Sequence, residues 1–410
     1  MTSPAPEEPE GTRRLRDALP LLVLLSVGRY LAFLGRLNIV PFYPELMHRF
    51  GTTYAGAGAL FSAFFVGYAL TLVPAGAAAD RRHPRRQMAA GLALLGLAGA
   101  AVALAPTYPV AFAARVAVGV AVALTYTTTL KLVAVVFSRA NRGRAVGVME
   151  WATSLGMLTA LSALPVLSQW VSYRVLLLAL PVLCAATLAL FPRVALGPAS
   201  APGRPARPAP GLGSVLGRDF VLIAVSALLG LFTISGILSW LPSHLTDALG
   251  YSKPQAGAVM AVVLVAQMLG VYPAGSLSDR LRRRLPLVWG ATAAVAVCAL
   301  ALAVAPAGLW IYVLACVLGL GMSASVTPLT VLSMERFGPE RAGLVGAVTV
   351  ASGQAGSGLS GVVFGWILDR TGSFTAIWLV TAALAALRLV TTVQIREGPA
   401  GPRQPGDGRS

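Results

Sequence analysis

Acid is scarce in this chain: of 410 residues 15 are Asp or Glu, against 32 Lys and Arg. Cysteine is scarcer. Cys184, Cys298 and Cys316 all lie inside apolar runs, with no pairing pattern and no metal-ligand spacing, which excludes a disulfide framework and a thiolate metal site. The three histidines, His48, His83 and His244, are too scattered for an HExxH pair or a catalytic triad. No metal, no cofactor and no enzymatic activity are therefore expected. Charged residues make up 11% and hydrophobic ones 56%, which is too apolar for a soluble globular domain of this length.

What fills the space is apolar runs, each bounded by Pro, Gly or charge and many near the roughly 20 residues that a spanning helix needs. Twelve are read, over 18–40, 55–79, 88–105, 110–136, 145–167, 172–192, 219–240, 255–278, 285–305, 308–332, 342–367 and 373–394. The first follows Arg13, Arg14 and Arg16. It is too long for a signal-peptide core and no small-residue cleavage site ends it, so it is expected to stay as a membrane anchor.

A net charge of +17 raises the question of nucleic acid, and the placement of the basic residues answers it. With both termini cytoplasmic, 23 of the 32 fall in cytoplasmic segments; outer loops hold Arg49, Arg174, Lys253 and Arg370. That is the positive-inside bias of a multi-pass protein in the cytoplasmic (inner) membrane, whose partner is the bilayer and not DNA or RNA.

The chain also repeats itself. VPAGAAADRRHPRR from Val73 returns as YPAGSLSDRLRRR from Tyr272, and the same offset of 199 carries Gly51 onto Gly250, Ala57-Gly58-Ala59 onto Ala256-Gly257-Ala258, and Asp80-Arg81 onto Asp279-Arg280. This gives a cytoplasmic tail (1–17), a six-helix bundle (18–192), a Pro- and Gly-rich cytoplasmic linker (193–218), a second six-helix bundle (219–394) and a second tail (395–410). An even number of spans per half makes the repeat parallel, about an axis along the membrane normal. A GxGxxG match, Gly356-Ser-Gly358-Leu-Ser-Gly361, has no strand before it and lies in an apolar helix, where small residues let helices pack closely.

The twin loops, Gly76-xxx-Asp80-Arg81-xxxx-Arg86 and Gly275-xxx-Asp279-Arg280-xxx-Arg284, together with Arg115-Val-Ala-Val-Gly119, resemble the signature elements of the major facilitator superfamily. The resemblance runs from the first span to the twelfth. It implies an all-α membrane protein of twelve transmembrane helices in two six-helix halves related by a parallel pseudo-twofold repeat, working by alternating access as a monomer. It also implies a gating role for Asp80, Arg81, Asp279 and Arg280; a carboxylate at a helix end can accept from an Arg or from amides at the start of another helix. The alternative is that these residues only fix a tight loop. The loop departs from the family at His83-Pro84, where a Gly usually follows, and a looser N-terminal loop is expected there.

Within the spans the charge is lopsided. Inward of the span ends Glu150 is the one acidic residue, against Arg29, Arg36, Arg115, Lys131 and Arg388, and each ionised group inside a bilayer costs about 3 kcal/mol or more without a partner or water. An anion would neutralise the excess. Arg29 and Arg36, seven apart, project within about 20° of each other on a helix, with Phe33 near the same stripe; Arg115 and Tyr126, eleven apart, are likewise nearly eclipsed. Spans 1 and 4 line the central cavity in the superfamily. The expected binding set is Arg36 and Arg115 as a bidentate grip, Arg29 deeper and Tyr126 as a hydroxyl partner. Arg36 as a snorkelling residue and Arg115 as a clamp between spans are the competing roles.

Lys131 points about 160° away from Arg115, at a depth similar to Glu150, so a Lys131 to Glu150 ion pair is expected, either structural or with Glu150 as a proton-coupling carboxylate. Arg388 is expected to be a snorkelling anchor at the inner end of span 12. YLAFLGRLNIVPFYPEL and LFSAFFVGYALTLVPAG resemble the anion:cation symporter branch, which moves organic anions, although Gly35 and Val122 stand where that branch commonly has acids. The resemblance implies a secondary transporter for a small carboxylate-type anion, by proton-coupled symport or anion exchange, with uniport also open. An efflux antiporter for a drug or natural product of the same superfamily is the alternative.

Overall fold

The computed structural model describes residues 18–81, 83–191, 217–281, 283–304, 306–337 and 342–395, and among them the chain is helical without strands. The tails and most of the linker lie outside the described residues. The first apolar run forms α1 (Leu19–Leu37), which passes through a 3-10 turn (Val40–Phe42) into the short α2 (Tyr43–Phe50). Then come α3 (Tyr54–Arg81), α4 (Pro84–Leu104), α5 (Tyr108–Val136) and α6 (Arg139–Leu158). A π-helical turn (Thr159–Ala163) joins α6 to α7 (Leu164–Leu167), so the predicted span 145–167 is one interrupted rod; α8 (Tyr173–Leu190) follows.

Past the linker run α9 (Arg218–Ser243), ending in a second π turn (His244–Ala248), α10 (Lys253–Leu281), α11 (Leu285–Val304), α12 (Trp310–Arg336), α13 (Ala342–Thr371) and α14 (Phe374–Val393). Among the described residues nine helices are long and apolar enough to cross a bilayer. α6 is not one of them, because Arg139, Arg142, Arg144 and Glu150 dilute it. Large apolar side chains such as Leu70, Leu97, Val182 and Val297 stand on the outside at 64–74% exposure, where lipid solvates them.

The sequence repeat has a backbone counterpart. Gly51 and Gly250 both adopt left-handed φ, 59° and 69°, which a β-carbon would strain. Pro74 and Pro273 both sit inside their helices, α3 and α10. His83-Pro84, where a looser loop was expected, instead starts α4: Pro occupies the first turn and His83 Nδ1 accepts from the Arg85 amide at 3.3 Å.

The chain divides into two compact units. The first takes the described residues of Met1–Arg207, Leu238–Leu264 and Gly361–Arg370; the second takes those of Pro208–Ile237, Val265–Ser360 and Thr371–Ser410. In the first, α3 packs on α5, α4 on α5 and α8, and α1 on α6, while α5 and α6 scarcely touch. A Cβ at Gly119 would collide with the Phe64 carbonyl, so the α3–α5 contact requires glycine there. In the second, α11 packs on α12 and α14. Gly356 of the GxGxxG match meets the Leu228 carbonyl of α9, the close helix packing expected for it.

The first unit also holds the ends of α9, α10 and α13. The Asp369 carboxylate accepts from the amides of Tyr54 (3.0 Å) and Ala55 (2.9 Å) at the start of α3, and Lys253 pairs with Glu45. Trp240 Nε1 donates to the Gly361 carbonyl at 3.3 Å, with its ring 5.2 Å from that of Tyr43.

Candidate functional site

The α1 stripe that carries Arg29 and Arg36 faces an aromatic wall built by three helices of the first unit. On α3, Phe61, Phe64, Phe65 and Tyr68 recur at helical spacing, so one face of that helix is aromatic. The Arg36 guanidinium lies 4.7 Å from the Phe65 ring centroid, 5.5 Å from Phe33 and 5.9 Å from Phe64. Arg29 lies 5.2 Å from Phe33 and 5.3 Å from Tyr126 of α5, whose ring is 6.3 Å from Tyr68. Each such contact contributes about 0.5–2 kcal/mol, part of what holding a cation in an apolar slab costs. Arg29 thus meets the ring of Tyr126, while Arg36 stands against Phe33 and the α3 part of the same wall. Phe64, Phe65 and Tyr68 were missed, although the FFxxY spacing on α3 carries the signal.

Glu150 completes the cluster from α6, with a partner other than the expected one. Arg29 Nη2 stands 2.7 Å from Glu150 Oε1. Lys131 donates instead to the Ala79 carbonyl near the end of α3, so the Lys131 to Glu150 pair is corrected. Successive spans in the chain need not be neighbours: α6 packs against α1, and its face bearing Glu150 looks there rather than toward α5.

Arg115 is fully buried behind Arg36. Its Nε donates to the Leu60 carbonyl (3.0 Å), Nη1 to Gly35 (2.6 Å) and Nη2 to Arg36 (2.8 Å). The two α1 carbonyls belong to that helix's last turn, where oxygens lack partners within the helix and attract a cation. The guanidinium fork is filled by main chain, so Arg115 clamps α1, α3 and α5 and does not offer the bidentate grip expected of it.

In the second unit the snorkelling expected of Arg388 gives way to burial. The residue is 3% exposed, with Nε 3.3 Å from Ser226 Oγ and Nη2 2.6 Å from the Ser325 carbonyl. Gly230 makes the room; a Cβ there would lie 2.7 Å from the guanidinium carbon. The positions equivalent to Arg29, Arg36 and Arg115 are Leu228, Ser235 and Ala315, and Ser235 hydrogen-bonds Ser357 at 2.7 Å. The side chains of Asp80, Arg81 and Asp279 lie outside the described residues; Arg280 is exposed.

The family model for the Major Facilitator Superfamily matches residues 25–361 and 223–408. The chain is 23% identical over 407 residues to the probable sulfoacetate transporter SauU of Cupriavidus necator, covering 93% of this chain and 95% of that one. It is 24% identical over 411 residues to the multidrug resistance protein Stp of Mycobacterium tuberculosis, covering 86% and 76%. Among solved structures, a bacterial homolog of the human lysosomal transporter Spinster superposes with a TM-score of 0.76 at 15% identity, covering 95% of this chain and 100% of that one. With twin Asp-Arg loops, a two-copy helical repeat and a family match over nearly its whole length, this chain belongs to the major facilitator superfamily.

Proposed function

We propose that this transporter carries a small carboxylate-type anion across the cytoplasmic membrane by alternating access between its two six-helix halves. Arg29 and Arg36 bind the anion, Tyr126 contributes a hydroxyl, and Arg115 holds the end of α1 in place. Transport is proton-coupled through Glu150 or runs as exchange of one anion for another. The Asp80-Arg81 and Asp279-Arg280 loops act as cytoplasmic gates, with both termini on the same side of the membrane.

One observation carries this reading: the guanidiniums of Arg29 and Arg36 project from one α1 face into a single aromatic wall, a setting that favours bound negative charge. An anionic solute supplies that charge. The likeness to a probable sulfoacetate transporter supports the same class. The likeness to a multidrug resistance protein favours a second reading, efflux of a drug or natural product.

Thermal-shift screening of the purified protein against small carboxylates, sulfonates, phosphates and cationic drugs separates the two, because a ligand that binds the native state raises its melting temperature. Stabilisation by anions, lost in Arg36→Met, is the expected result. Stabilisation by cationic drugs alone overturns the anion reading.

A further inference from the structure

We propose that the Glu150 carboxylate is a tethered stand-in for the solute: in the empty site it occupies the place on Arg29 that the solute's own anionic group takes on loading. This rests on the anion reading above and deepens it, since it makes binding an exchange of one carboxylate for another at a single guanidinium.

The two partners are unequally enclosed. The Arg29 side chain is 14% exposed and stacked near Phe33 and Tyr126, whereas that of Glu150 is 57% exposed. The carboxylate reaches the guanidinium from the open side. Enclosing both ions would strengthen their attraction at a desolvation cost; an exposed carboxylate keeps the pair weak and leaves Glu150 able to part from Arg29.

The open side is lined in part by small residues. On α6 the residues within about 60° of Glu150 include Gly143, Gly147 and Ser154 as well as the exposed Val146, while the more exposed Val148, Trp151 and Leu155 lie about 100–160° around the helix. A Cβ added at Gly143 or Gly147 would meet nothing within 4 Å, so empty space adjoins the carboxylate along its own stripe. An ionised group at such exposure is tolerated where water reaches it. The same opening gives a solute access to Arg29 and gives Glu150 somewhere to swing.

The chemistry allows the swap. The contact is a charge-assisted hydrogen bond from Nη2 to one carboxylate oxygen, which a free carboxylate or sulfonate reproduces. A short tether gives Glu150 an effective concentration in the millimolar range or above, so it lowers the apparent affinity for any solute that must displace it. By the same linkage its return expels the solute. Leu228, which stands where the repeat would place a second Arg29, carries no charge, so the exchange is a device of the first half alone.

Chemical rescue tests this. In Glu150→Ala the slot on Arg29 is empty, and sodium acetate should raise the melting temperature saturably above a chloride control of equal ionic strength. The wild type should show no such rise, and Arg29→Met/Glu150→Ala should lose it. An acetate response in Glu150→Ala no larger than in the wild type overturns the proposal. The isosteric Glu150→Gln supplies an independent readout: any anion that stabilises the wild type should bind this variant about tenfold more tightly, and equal affinity overturns the proposal. If no anion in the panel stabilises the wild type, the anion-transport reading falls and the stand-in role with it, whereas anion binding by the wild type without acetate rescue in Glu150→Ala overturns the stand-in role alone.

Discussion

Arg115 Nη2 lies 2.8 Å from the main-chain oxygen of Arg36, so one buried guanidinium holds the backbone that carries the other. The pair that looks like two fingers of one grip is a finger and its knuckle. Arg115 offers its three nitrogens to carbonyls of α1 and α3, and by fixing the last turn of α1 it fixes where Arg36 meets Phe65.

Replacing Arg115 should therefore act first on stability. Hydrogen bonds from a charged donor contribute about 1.5–3 kcal/mol each, set against roughly 3 kcal/mol for keeping the charge in an apolar slab. Arg115→Met should lower unfolding free energy by about 3 kcal/mol. Arg115→Lys should recover less than half of this, because an ammonium cannot span the three carbonyls in one plane. Thermal unfolding in detergent measures both, and a Met variant as stable as the wild type would contradict the clamp.

A second prediction concerns the start of α3. The Asp369 carboxylate accepts from two amides there, and a negative group at a helix N-terminus contributes about 1–2 kcal/mol through bonds and dipole. Asp369→Ala should lose that amount, while Asp369→Asn, still an acceptor, should lose less than half. Equal losses would show that charge alone matters.

In the second unit, Gly230 and Arg388 form a size-matched pair. Gly230→Ala should cost about 1–3 kcal/mol by overpacking against the guanidinium. In an Arg388→Met background the cost should shrink, giving a coupling energy of about 1 kcal/mol in a double-mutant cycle. Additive losses would mean that the two side chains do not compete for space.

The partner of Glu150 can be read from two further cycles. Arg29→Met with Glu150→Gln should couple by about 0.5–1 kcal/mol, the range for a pair with one well-exposed member. Lys131→Met with Glu150→Gln should be additive, because Lys131 is held by the Ala79 carbonyl. The reverse pattern would restore the pairing expected from the sequence.

Much of the fold was legible because apolar length and repeated punctuation depend on local chemistry. Gly51 and Gly250 were matched by offset alone, and both adopt the left-handed backbone that makes glycine necessary. The α1 arginine stripe was legible for the same reason, since helical spacing alone sets which side chains share a face. What sequence could not supply was the order of helices in space. Lys131 and Glu150 are close along the chain and at similar depth, yet α5 and α6 scarcely touch, and Glu150 meets Arg29 from 121 positions away. Arg388 was misplaced for a related reason: depth from a helix end does not disclose whether a neighbouring glycine has opened room for a buried guanidinium.

The aromatic wall around Arg29 and Arg36 has a consequence for how tightly the site can hold anything. Two free arginine side chains each carry about 2 kcal/mol of rotamer entropy, lost again whenever a ligand orders them. Ring contacts at 4.7–5.5 Å confine both guanidiniums before any ligand arrives. Folding bears that ordering cost, so a small molecule with few atoms can reach useful affinity without having to organise its own receptor.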